Sequence, residues 1–114
     1  MCLTGICEMT NLETLDFSKN KLSCIPNELA LCTLLQEVLF NDNKIFSIPT
    51  KMMNLPKLEV FEADRCCLQY LPHIVSKSLS HVRVFNNTAI THYPVAYEKF
   101  LKNHYDYWSE NIVR

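Results

Sequence analysis

Apolar residues recur along this chain in one pattern that returns every 23 residues. The pattern reads Leu-x-x-Leu-x-Leu-x-x-Asn-x-Leu-x-x-Ile-Pro, with Val, Phe, Ala or Cys in some of the apolar and Asn places. Copies begin at Leu12, Leu35 and Leu58, and a shorter fourth copy begins 21 residues later at Leu79. The other pattern positions hold Leu15, Phe17, Asn20, Leu22, Ile25, Pro26; Val38, Phe40, Asn43, Ile45, Ile48, Pro49; Phe61, Ala63, Cys66, Leu68, Leu71, Pro72; and Val82, Val84, Asn87, Ala89.

Each copy predicts a short strand followed by a turn. Apolar residues two apart, such as Leu15 and Phe17, have the period of a strand with one buried face. Successive copies then pair as parallel strands about 4.8 Å apart. Asn20 and Asn43 turn the chain out of the strand, and their amides satisfy backbone groups that the turn leaves open. One unit buries its apolar face only against its neighbours, so about three units are needed for stability.

These residues resemble a leucine-rich repeat of the 23-residue, Ile-Pro-containing type found in intracellular scaffolds such as Scribble and Erbin. The resemblance covers about residues 6–92. It implies an α/β leucine-rich-repeat solenoid, with a short parallel sheet on the concave face and irregular convex turns. Cys66 replaces Asn, a substitution that this family accepts. The fourth copy departs further, because His92 occupies its Ile position and Pro94 lies one residue late.

The two ends predict different structures. Residues 1–11 are interpreted as the tail of a truncated preceding repeat, and residues 12–92 as about four repeats. Within residues 93–114, apolar and aromatic side chains recur three and four apart, which predicts a capping helix over 94–112. This stripe holds Tyr97, Phe100, Leu101, His104, Tyr105, Trp108 and Ile112. At the other end, Ile6, Met9 and Leu12 are expected to leave an uncapped apolar edge, which favours either a longer solenoid or self-association.

Composition narrows the class of protein. The 114 residues are 48% apolar and 20% charged with a net charge of −1, which excludes disorder by composition and a strongly basic nucleic-acid binder. The single glycine, Gly5, excludes glycine-rich phosphate loops. No secretory signal and no bilayer-length apolar run is present, which predicts a cytoplasmic protein without a membrane span. Its six cysteines are then expected to be free thiols.

The strand positions that point away from the core define the candidate site. In the resembling family these positions line the concave binding face. There are twenty such positions, and they hold seven carboxylates and three Lys or Arg residues, which gives a net charge of −4. Apolar side chains stand among the charges, and apolar anchors ringed by charge are typical of protein interfaces. The predicted partner-binding residues are Glu13, Asp16, Glu37, Leu39, Asp42, Glu59, Val60, Glu62, Asp64, Arg83 and Phe85.

We therefore expect a non-catalytic module that binds a protein partner, such as one with a basic surface, and no nucleic acid. An alternative is the substrate-recognition part of a larger enzyme assembly, such as a ubiquitin ligase, with the activity outside this chain. A third alternative is an extracellular receptor fragment, which would carry paired cysteines. No cysteine stands beside a base in this register, and Cys66, Cys67 and His73 have irregular spacing for a metal. Glu59, Glu62 and Asp64 would attract Ca²⁺ only loosely. No catalytic residue, cofactor or metal is predicted.

Overall fold

The computed structural model describes residues 9–90, 93–101 and 112–113. Within these ranges four strands of three residues each form one parallel sheet, in which the strands follow one another in chain order. The strands are β1 (Thr14–Asp16), β2 (Glu37–Leu39), β3 (Val60–Glu62) and β4 (His81–Arg83). Short helical segments lie between strands: a 3₁₀ helix at Asn27–Leu31 and the helix α1 at Thr50–Met53. The parallel sheet and the mixed α/β class are as predicted.

The register of the sheet follows the spacing of the sequence pattern. Leu15 pairs with Val38, Val38 with Phe61, and Phe61 with Val82, which are offsets of 23, 23 and 21 residues. The middle residue of each strand points into the core, and the residues beside it point away from the core. One contiguous apolar core therefore runs beneath all four strands, continued by Leu22, Ile45 and Leu68 in the turns. Phe40 and Phe61 meet edge to face in it, with ring centroids 6.5 Å apart.

A column of polar side chains closes the turn after each strand. We call Asn20, Asn43, Cys66 and Asn87 the ladder residues. The Asn43 amide nitrogen donates to the carbonyls of Phe17 and Phe40 at 3.0 and 2.9 Å. Its amide oxygen accepts the N–H groups of Asn20 and Leu22 at 3.0 and 2.8 Å. Asn87 repeats these four bonds with the groups of Ala63, Val84, Cys66 and Leu68. Buried amides thus satisfy the backbone of two neighbouring turns at once.

The fourth unit differs from the sequence prediction at one apolar position. Ala89 was expected in the core, but it is exposed, whereas Ile90 is buried. The reason is a tight turn in which the Ile90 N–H donates to the Asn87 carbonyl at 3.0 Å. The turn carries Thr88 and Ala89 outside and brings the larger apolar side chain onto the core, where it removes more area from water.

The C-terminal segment is not the single helix predicted over 94–112. Tyr93–Pro94 form β5, Val95–Tyr97 a turn of 3₁₀ helix, and Glu98–Leu101 the helix α2. Ile112–Val113 form β6, which pairs in parallel with β5. The β-branched Ile and Val favour a strand, and this pairing overrides the helical spacing at Ile112. The predicted stripe residues His104, Tyr105 and Trp108 lie outside the described residues.

The remaining expectations about the ends and the cysteines have mixed outcomes. Met9 is 56% exposed and Leu12 packs partly against the core, while Ile6 lies outside the described residues. Cys32, Cys66 and Cys67 are free. Cys24, however, is disulfide-bonded, so the expectation that every cysteine is a free thiol is wrong at that position.

Candidate interaction surface

The sheet presents a row of side chains on the side opposite the core, which we call the open face. It consists of the outward residues of the strands and the residues that flank them: Glu13, Thr14, Asp16, Gln36, Glu37, Leu39, Asn41, Asp42, Glu59, Val60, Glu62, Asp64, Arg65, Ser80, His81, Arg83, Phe85 and Asn86. Alternation along three-residue strands leaves two outward side chains per strand. Because neighbouring strands are in register, these side chains stand in columns that cross the sheet.

Three apolar side chains stand on the open face, as the sequence predicts. Leu39 in β2 and Val60 in β3 are partly exposed, and Phe85, just after β4, is 39% exposed. None of the three belongs to the buried core. They lie on successive units of the sheet, at different positions along the strand direction, among charged neighbours.

Glu62 is the centre of an ionic network at the β3–β4 end of the open face. One carboxylate oxygen lies 2.8 Å from His81 Nε2, and the other lies 3.1 Å from an Arg83 guanidinium nitrogen. The Asn41 amide also donates to Glu62, at 3.0 Å. Burial raises the pKa of Glu62, but the hydrogen bonds from Asn41 and His81 and the charge of Arg83 outweigh it, so the pKa lies below its ordinary value. The negative charge of Glu62 is therefore balanced by contacts within the protein.

Asp64 is not the exposed partner-binding carboxylate that the sequence analysis expected. Its side chain is 1% exposed and accepts the Phe85 N–H at 2.7 Å and the Nε–H of Arg83. Asn41, 23 residues earlier, likewise accepts the Asp64 N–H at 2.7 Å. Short polar side chains at equivalent positions thus bond the next strand's backbone, which forms a second column beside the ladder residues. This second column was not predicted from the sequence, although an Asn and an Asp at one register position are its signal.

Asp42 is also engaged within the protein. Arg65, on the next unit, binds it through two nitrogens at 2.7 and 3.0 Å. The hydrogen bonds from Arg65 hold the pKa of Asp42 below its ordinary value. Both residues have positive φ, at 61° and 52°, as do Lys19 and Asn86 at the equivalent positions. Each unit therefore has a left-handed, non-glycine residue at this position, and two of these four residues carry the bidentate pair. The first unit has a second such residue, Lys21, with a φ of 56°.

Four predicted carboxylates remain outside any ion pair in the part of the chain that the structure describes. Glu13 accepts a hydrogen bond from Gln36 at 3.3 Å, and Asp16 accepts the Ser18 N–H at 3.1 Å, which lowers the pKa of Asp16. Glu37 and Glu59 stand without a cation partner among the same residues. We call Glu13, Asp16, Glu37 and Glu59 the open carboxylates. The predicted acidity of the face is thus concentrated on its β1–β3 side, away from Arg83.

The chemistry at the opposite end of the face is cationic and aromatic. The Arg83 guanidinium lies 5.7 Å from the centre of the Phe85 ring, and Lys99 Nζ lies 5.0 Å from that of Phe100. Arg83 and Phe85 are among the predicted partner-binding residues, whereas Lys99 and Phe100 are not. Both were interpreted as parts of a cap, because nothing in the local spacing shows that α2 packs beside β4.

Comparisons with known proteins do not assign the chain to a family. No protein-family model matches the chain, and no curated protein matches its sequence. Residues 9–90, 93–101 and 112–113 contain no group of three or more His, Cys, Asp or Glu side chains arranged to hold a metal ion. Over the same ranges, no helix combines the length and the apolar character needed to cross a bilayer.

Proposed function

We propose that the chain is a leucine-rich-repeat module that binds a protein partner on its open face without catalysing a reaction. The repeat interpretation is supported by strand pairing at offsets of 23, 23 and 21 residues. It is also supported by Asn43 and Asn87, which make the same four hydrogen bonds 44 residues apart. In this proposal the open face is the concave side of a solenoid that extends by adding equivalent units.

The observation that supports the binding role is the combination of exposed apolar side chains with unpaired charge on one sheet. Leu39, Val60 and Phe85 remain accessible, although every strand has an apolar core available on its other side. The open carboxylates surround the first two of them. Apolar anchors within a charged rim are the common form of a protein interface, and uncompensated carboxylates steer partners that carry Lys or Arg.

The cellular compartment of the protein is also part of this proposal. A cytoplasmic scaffold or signalling role follows from the resemblance, whereas the Cys24 disulfide favours an oxidising compartment. We retain the cytoplasmic prediction, and labelling of the cysteines decides between the two compartments.

Affinity capture with charge-reversed variants tests the binding role. The purified, biotinylated chain is compared with Glu59→Lys, which reverses an open carboxylate, and with Glu28→Lys, which makes the same change on the 3₁₀ helix away from the open face. Proteins captured from cell extract are measured at 50 and 500 mM salt. We expect Glu59→Lys to lower capture of basic partners several-fold at low salt, and Glu28→Lys to leave it unchanged. Equal loss in both variants, or no loss in either, would contradict the proposal.

A further inference from the structure

A cavity of about 290 Å³ lies at the β4 end of the open face, between that strand and α2. Its wall is formed by Ser80, His81, Val82, Arg83, Phe85, Lys99 and Phe100. The two aromatic rings come from different parts of the chain, one from the residue that follows β4 and one from α2. The cavity therefore exists only because α2 packs beside the last strand of the sheet.

The groups that line this cavity have one sign of charge. Arg83, Lys99 and His81 are basic, and no carboxylate lines the cavity among the described residues, but Arg83 and His81 already contact Glu62. Glu62 and Asp64 hold Arg83 from the sheet side, and that fixes the guanidinium beside the ring of Phe85. Lys99 is exposed and has no ion-pair partner among the described residues, so its ammonium is available to an incoming anion.

The open carboxylates lie across the sheet from this cavity. Glu37 is in β2, two strand spacings from β4, and the cavity lies about one spacing further. At about 4.8 Å per spacing, the separation is about 14 Å. An extended peptide advances about 3.3 Å per residue, so about four residues bridge the distance. Val60, which pairs with Glu37, lies between the two charged ends, and Leu39 lies beside Glu37 in β2.

We infer that the open face binds an extended protein segment whose charges are of opposite sign at its two ends. A basic residue lies over Glu37 and Glu59, and an acidic residue about four positions away enters the cavity with an apolar neighbour. The carboxylate of that residue pairs with Lys99, and the apolar neighbour contacts Phe85 and Phe100. The inference rests on the proposed binding role and adds the partner's charge pattern and its orientation on the sheet.

Selection from a random twelve-residue peptide library tests this arrangement. The full chain, Lys99→Glu, Glu59→Lys and the control Lys51→Glu are each used as bait, and selected peptides are sequenced. Lys51 lies in α1, outside the cavity and the open face. We expect the wild type and Lys51→Glu to select a basic residue and an acidic residue about four positions apart. Lys99→Glu should instead select a second basic residue at the acidic position, because the reversed charge now faces the peptide.

The outcomes separate this inference from the proposed function. If wild-type peptides are only basic, and Lys99→Glu selects the same peptides, the charge pattern is wrong while the binding role stands. If no peptide is enriched and the chain self-associates in sedimentation, the face is occupied by a second copy, which also overturns the inference. A gain of the second basic residue on Lys99→Glu cannot arise from a folding defect, since a misfolded bait would lose selection rather than change it.

Discussion

At the scale of single residues, the ladder shows how one side chain serves two neighbouring units. Asn43 and Asn87 each offer an oxygen that accepts two N–H groups of the preceding turn. At the third unit Cys66 takes this place, and its thiol donates to the Phe40 carbonyl at 3.2 Å. The Ile45 N–H, which corresponds to that of Leu22, has no hydrogen-bond partner among the described residues. A buried unpaired donor of this kind costs about 1–3 kcal/mol.

Replacing Cys66 by Asn should therefore stabilise the protein. The new amide oxygen would accept the Ile45 N–H, and its nitrogen would donate to the Phe40 carbonyl as the thiol does now. We expect the free energy of unfolding to rise by about 1 kcal/mol in urea titrations. Cys67→Asn, one residue away at an exposed position, is the matched control and should change little. A Cys66→Asn protein less stable than the wild type would show that the thiol fits this turn better than the amide.

At the scale of elements, ionic contacts join β3 to β4 through Glu62. Its pKa is lower in the folded protein than its ordinary value of 4.5, so its ionised form contributes stability above pH 4.5. That contribution is lost as the pH falls through the folded pKa. We expect Glu62→Gln to be less stable than the wild type by about 1 kcal/mol at pH 7, and the difference to shrink below pH 4.5.

Thermal unfolding of both proteins between pH 3 and pH 7 measures this difference. Asp16 and Asp42, whose pKa values are also lowered, are present in both proteins and cancel. Glu28→Gln serves as the control, because Glu28 has no ion-pair partner in the described ranges. A pH-independent difference for Glu62→Gln, or an equal one for Glu28→Gln, would refute the role given to this carboxylate.

The elements also show how far the sequence predicts the structure. The pairing of β1 to β4 follows from spacing, because period-two alternation and a constant offset leave one register that buries Leu15, Val38, Phe61 and Val82 together. The end of the chain is not predictable in this way. Spacing of three and four residues indicates an apolar stripe, but it says nothing of Ile112–Val113 pairing with Tyr93–Pro94. The burial of Asp64 was not predicted for a related reason. A side chain at an outward position is exposed only if it does not hydrogen-bond a neighbouring backbone group.

Tyr97 packs the C-terminal segment against the core and buries its hydroxyl group there. The side chain is fully buried, burial raises its pKa, and its hydroxyl finds no hydrogen-bond partner among the described residues. Tyr97→Phe removes that hydroxyl and keeps the ring, so it should raise the free energy of unfolding by about 1 kcal/mol. Tyr97→Leu, which loses ring contacts, should destabilise the protein in the same thermal melts. A Tyr97→Phe protein that melts below the wild type would reveal a partner for the hydroxyl.

At the scale of the whole molecule, the described charges have two functions. Asp42–Arg65 and the contacts of Glu62, Asp64 and Arg83 join neighbouring units and leave little charge for a partner. The open carboxylates and Lys99 have no such role and give the proposed binding face its opposite ends. Charge reversal at the joining residues should therefore affect stability, while reversal at the open residues should affect binding. Total net charge does not distinguish the two sets, which is why the −4 counted from sequence overstates the usable acidity.

Chemical labelling of the cysteines tests the compartment in which this molecule folds. Cys67 is exposed, whereas Cys32 and Cys66 are buried, and burial raises the pKa of the Cys66 thiol and lowers its reactivity. In the protein purified without reductant, iodoacetamide should label Cys67 first, and Cys32 and Cys66 only after denaturation. Cys24 should be labelled only after reduction, because it is disulfide-bonded. Peptide mass spectrometry gives each site separately. If the protein melts at the same temperature with the Cys24 bond reduced, the fold does not need the bond and the cytoplasmic prediction stands. If reduction of Cys24 lowers the melting temperature, the fold depends on the bond and an oxidising location becomes the better proposal.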